Sequence, residues 1–122
     1  MVGTFLYYGI AVDNTILVAL STIASEQSYA TSNTAKKITQ LLNYLATNPD
    51  ATIRYKNSGM VLWVHSDASY LSCPKSRSRA GGMHFLSDKP PSPNNPANFE
   101  PKINGIVYVV CKILRNIMAS TT

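Results

Sequence analysis

The sequence predicts an α+β fold, with two to three N-terminal helices followed by an antiparallel sheet of three to four strands. Three observations carry this prediction. Apolar residues recur at helical spacing before Asn48-Pro49. After Ala51 the chain turns to short runs rich in Val, Ile and Tyr, the composition of strands. A proline-dense stretch then separates the last such run from the others. The 122 residues are enough for a small core, and a content of 45% hydrophobic to 14% charged weighs against wholesale disorder.

Val2–Val12 is apolar and aromatic. Phe5, Leu6 and Ile10 share one helical face, against which Gly3 and Gly9 count as weak helix formers. Asp13 is placed to cap a helix over Asn14–Ser25, with Ile16, Leu20, Ile23 and Ala24 as its buried stripe. Polar residues from Ser25 to Asn33 read as a loop. Thr34–Thr47 carries the clearest periodicity, Ile38, Leu41, Leu42 and Leu45 falling at i, i+3, i+4 and i+7. Ser32 or Asn33 caps its start and Asn48-Pro49 ends it. Lys36 and Lys37 lie at its positive end, where the helix dipole disfavours them; they read as solvated lysines or as phosphate contacts.

Ala51–Lys56 alternates as a strand, with Ile53 and Tyr55 on one face. Asn57-Ser58-Gly59 is a turn signal, so Met60–Asp67 reads as the second arm of a hairpin. Val61, Leu62, Trp63 and Val64 form its apolar run, the pattern of a strand buried on both faces. Asp67 then stands at the strand end, before a loop over Ala68–Ser78. Arg79–Leu86 is the next strand, with Gly81-Gly82 permitting a bulge or close backbone approach. Five prolines make Ser87–Asn104 an exposed loop. Ile103–Cys111 is a further strand, and Lys112–Thr122 fits either its continuation or a helix.

Net charge is +5 and uneven. Residues 1–57 carry four Lys/Arg against three Asp/Glu, and residues 58–122 carry seven against three. A basic second half suits a polyanionic partner or simply a soluble surface. Cys73 and Cys111 lack C-x-x-C spacing and read as reduced residues of an intracellular protein, one disulfide being the alternative. The N-terminus has no basic residue before its apolar stretch, and Asp13 interrupts that stretch. It predicts neither signal peptide nor membrane span, hence a soluble cytoplasmic or nuclear protein.

The run SDASYLS at Ser66–Ser72, with KSRSRAGGMHFLSDKPP at Lys75–Pro91, resembles the start of the ribonuclease H domain of copia-type retrotransposon polyproteins. The upstream stretch KKITQLLNYLATNPDATIRY resembles the segment joining reverse transcriptase to that domain, and Val2–Gln27 resembles the piece before it. The resemblance covers nearly the whole chain, and S-D-A-S-Y together with R-S-R-A-G-G is its most specific part. It implies a helical connection segment over residues 1–50 and a partial ribonuclease H-like domain, with an incomplete sheet, over residues 51–122. In an intact domain of this family the first strand is central, so Ile53–Tyr55 would fill its vacant side.

The resemblance further implies that Asp67 is a catalytic, metal-binding acid. The cofactor of the complete domain would be Mg²⁺, its substrate an RNA–DNA hybrid, and its partner the remainder of the polyprotein. The family's next acid, a Glu opening its first long helix, is expected beyond Thr122. Such chemistry uses two Mg²⁺ ions held by several carboxylates. Asp13, Glu26, Asp50, Asp88 and Glu100 match no family position, so the isolated chain is expected to be inactive. Read from its own residues, Asp67 is either that metal ligand or an acid bonded to nearby backbone N–H groups.

Lys75, Arg77 and Arg79 form the best polyanion patch, with Tyr70 near enough to stack on a base. A solvated basic loop competes with that reading. His65 shares a strand face with Asp67, and it and His84 read as satisfied core or edge histidines. Ser66 and Ser69 have no His–acid arrangement around them, and Gly81-Gly82 lacks the spacing of a phosphate loop. Two further functional classes stand beside the ribonuclease origin: a non-catalytic module binding nucleic acid or protein, and a non-functional relic.

Overall fold

The computed structural model describes residues 1–90 and 100–114. Three helices come first: α1 over Val2–Ala11, α2 over Leu17–Ser25 and α3 over Ser32–Thr47. Short 3-10 turns at Asn14–Ile16 and Gln27–Tyr29 join them. Their shared core is Ile16, Leu20, Ile23 and Leu41, against which Val2, Phe5, Tyr8, Ile38 and Leu45 pack. Leu6 and Ile10 of α1 are exposed, so its buried face is Val2–Phe5–Tyr8 rather than the expected Phe5–Leu6–Ile10. Gly9 explains the rotation. A Cβ there would lie 2.9 Å from Leu17 Cδ2 and 3.2 Å from Ile16 Cγ1, so the residue that weakens the helix also lets it approach its neighbour.

Asp13 opens the first 3-10 turn as a cap, its Oδ1 accepting from the Thr15 N–H at 3.1 Å and from the Thr15 hydroxyl. The cap of α3 is Thr31, not Ser32 or Asn33. Thr31 Oγ1 accepts from the Thr34 N–H at 3.4 Å, and the Thr31 N–H donates to Thr34 Oγ1 at 3.1 Å. The Thr34 hydroxyl donates in turn to Glu26 Oε2 at 2.8 Å, and Lys37 pairs with Glu26 Oε1. Lys37 is thus held by an acid of the preceding turn.

The Lys37 hydrogen bond, followed by the Thr34 one, lowers the Glu26 carboxyl below its ordinary 4.5. A carboxyl depressed in the folded state stabilises it fully above the unfolded value, and loses that contribution as pH falls through the folded value. Thermal melting is therefore expected to drop as pH falls below about 4.5, and Glu26→Gln is expected to flatten that acid limb. An unchanged pH profile in Glu26→Gln would show that the pair contributes nothing.

The sheet has β1 over Val61–Cys73, β2 over Arg77–Ser87 and β3 over Ile106–Ile113. They lie in the order β1-β2-β3, antiparallel throughout. Helix α2 packs on β3. No helix among the described residues is long and apolar enough to cross a membrane.

Two expectations need correction. Residues 51–60 form no strand. Side chains satisfy their backbone instead: Asn104 Oδ1 accepts from the Lys56 N–H at 2.7 Å, Asn104 Nδ2 donates to the Lys56 carbonyl at 2.8 Å, and Asp88 Oδ1 accepts from the Gly59 N–H at 2.7 Å. The segment lies beside the start of β3, where a Cβ on Gly105 would fall 2.7 Å from the Arg54 carbonyl. It does not fill the vacant side of β1.

Nor is Ala68–Ser78 a loop. β1 runs on to Cys73, and the reversal is made by Pro74, Lys75 and Ser76. The proline-rich expectation falls partly on residues 91–99, which lie outside the described residues. Of the Lys112–Thr122 alternatives, Lys112 and Ile113 continue β3 rather than open a helix, and 115–122 lie outside the described residues.

Candidate functional site

Asp67 lies in the middle of β1, not at its end, directly opposite Gly81. Gly81 is in turn opposite Cys111 on β3. Strand alternation places Trp63, His65 and Asp67 on the same face as Arg79, Gly81 and Met83. This face looks toward α2. Because α2 lies over β3, His65 and Asp67 on the far strand remain exposed. A cleft of about 320 Å³ opens between them, bounded by Leu17 and Val18 on the helical side and by His65, Asp67, Arg79 and Gly81 on the sheet. At Gly81, which has no side chain, backbone joins Met83, Val109 and Cys111 in the cleft's lining.

Asp67 Oδ1 accepts from the N–H of Ala68 at 2.8 Å. This is the backbone contact that the simpler reading of Asp67 anticipates. Among the described residues no group of three or more His, Cys, Asp or Glu is placed to hold a metal ion. A single exposed carboxylate falls short of the donor set that two Mg²⁺ ions need, so these residues do not by themselves fit that pair.

The three basic residues separate. Lys75 sits in the reversal, its ammonium 4.6 Å from the centre of the Tyr29 ring. Arg77 opens β2 beside it. Arg79 turns inward: Nη1 donates to Ser21 Oγ and, at 3.6 Å, to Cys111 Sγ, while Nη2 donates to Thr22 Oγ1 at 3.1 Å. Its guanidinium ties the sheet to α2. Tyr70 is exposed on β1. His84 stands edge-on to Tyr108, ring centroids 5.1 Å apart, with its Nδ1 buried and, among the described residues, without a hydrogen-bond partner. It is therefore not the satisfied histidine expected. Both cysteines are free.

Sequence reasoning missed the exposure of β1 as a whole. Leu62, Val64 and Tyr70 are exposed along it, a pattern hidden within a run that reads as buried on both faces. No family model matches the chain, and comparisons with characterised proteins and with solved structures give no significant match.

Proposed function

We propose that this chain is a piece of a copia-type retroelement reverse transcriptase/ribonuclease H. Its parent would hydrolyse the RNA of RNA–DNA hybrids, with Asp67 supplying one ligand of a Mg²⁺ site completed by residues outside this sequence. The observation that carries the reading is the exposed Asp67, facing a glycine across the first hairpin of a three-stranded antiparallel sheet. The motif around it, from Ser66 through Gly82, is the part of the sequence that resembles the family. Too few carboxylates accompany Asp67 for two-metal hydrolysis, so the chain alone is inactive.

The position of Lys75 and Arg77 at one hairpin tip favours a second reading, a module that binds nucleic acid without cutting it. One experiment addresses both. The chain is mixed with a labelled RNA–DNA hybrid and Mg²⁺ or Mn²⁺, and cleavage and fluorescence anisotropy are followed across a salt series. No cleavage is expected. Cleavage that disappears in Asp67→Asn would overturn the inactive-fragment reading.

Saturable binding that weakens with salt, with a slope reduced by about two in a Lys75→Gln/Arg77→Gln variant, would support the binding module. Absence of saturable binding would remove it.

A further inference from the structure

We propose that the open edge of β1 pairs with the same edge of a second copy of this chain, antiparallel, about a twofold axis at Ser66. The inference does not rest on the ribonuclease reading. β2 occupies one side of β1, and among the described residues no strand occupies the other. The Ala68 N–H is bonded to its own neighbour's carboxylate, Asp67 Oδ1, which marks Ala68 as turned away from β2. Alternation then puts the peptide groups of Leu62, Val64, Ser66 and Ala68 on the open edge. Pairing with β2 is uninterrupted from Val61 to Ser69, so this edge is regular for most of its length. Such an edge is a template for another strand.

Side-chain complementarity selects the partner and the register. With the axis at Ser66, Val64 faces Ala68 of the second copy and Leu62 faces Tyr70, on the face away from α2. Leu62, Val64 and Tyr70 are 56%, 55% and 51% exposed, so this pairing covers apolar surface on both chains. On the other face His65 meets Asp67 of the second copy, twice by symmetry. Those two positions form non-hydrogen-bonded pairs, in which side chains approach most closely.

An axis one residue later sets Asp67 against Asp67, and one residue earlier sets His65 against His65. The later axis therefore exchanges two attractive pairs for a carboxylate–carboxylate repulsion, and the earlier one leaves each Asp67 without its imidazole partner. Pairing also gives the Ala68 N–H the Val64 carbonyl of the second copy, which releases Asp67 to face His65. Two three-stranded sheets become one of six, within the usual range.

The test is sedimentation of the whole 122-residue chain across a concentration series, with circular dichroism on every variant. A concentration-dependent dimer is expected. Ser66→Pro removes the two central hydrogen bonds, and an edge position whose N–H points outward tolerates proline. It should be monomeric with an unchanged spectrum. His65→Asp should weaken the dimer about tenfold or more by opposing like charges. The double variant His65→Asp/Asp67→His, which exchanges the pair, should restore it.

A chain monomeric at every concentration would overturn the proposal, leaving the edge to a strand of another kind. So would a dimer indifferent to Ser66→Pro, or one that the exchange fails to restore. If Ser66→Pro alters the spectrum, the charge exchange still decides the outcome.

Discussion

Leu20→Ala is expected to lose about 3 kcal/mol of stability, the middle of the range for truncating a fully buried leucine. Leu20 is 1% exposed and sits among Ile16, Ile23 and Leu41. Its neighbours come from all three helices, since Val2, Phe5 and Tyr8 of α1 and Ile38 and Leu45 of α3 close around the same cluster. No single helix can shift to fill the space without leaving another, so little of the cavity collapses. A small domain has about 5–15 kcal/mol in total, so the loss is a large share of it.

Leu42→Ala is the control. Leu42 lies on the same helix as Leu41 but points outward, and its loss should stay within about 0.5 kcal/mol. Urea unfolding, followed by far-ultraviolet circular dichroism and by Trp63 fluorescence, measures both. Equal effects of the two substitutions would show that the helical cluster does not hold the fold.

The helical half was legible because its signals are local and agree with one another. Ile16, Leu20 and Ile23 are buried as their spacing requires, and Asp13 caps where its side chain predicts. The sheet was less legible for physical reasons visible in single residues. The β1–β2 reversal places Lys75 and Ser76 at φ values of 62° and 51°, where glycine or asparagine usually stands. Neither residue usually takes positive φ, so the eleven residues of Ala68–Ser78 read as one loop rather than as two strand ends and a tight reversal.

Conversely, Asn57-Ser58-Gly59 has the composition of a hairpin turn, yet the strand before it does not form. Asn104 and Asp88 are distant in sequence and satisfy that backbone in place of a ladder. At the candidate site, the strand leading into Asp67 was legible, but its continuation to Cys73 and the inward turn of Arg79 were not. That turn depends on hydroxyls 57 and 58 residues away.

Arg79→Ala is expected to cost about 2 kcal/mol, chiefly through hydrogen bonds to a charged donor. The guanidinium reaches Ser21 and Thr22 on one turn of α2 while also touching Cys111 on β3, so one side chain fixes helix, middle strand and edge strand together. Both hydroxyls are already oriented, since each donates to the Val18 carbonyl at 3.0 Å and offers its lone pairs to Arg79. Truncation leaves those lone pairs facing the cleft and removes the stem that lines it.

Arg79→Lys keeps the charge but has no fork to reach two hydroxyls at once, and should recover less than half of the loss. This separates structure from binding. If Arg79 mainly contacts a polyanion, both variants should melt like the unmodified chain and differ only in hybrid binding. If it ties α2 to the sheet, melting falls in the order arginine, lysine, alanine at any salt concentration. Lys75→Gln, at the exposed reversal, should leave melting within about 0.5 kcal/mol of the original.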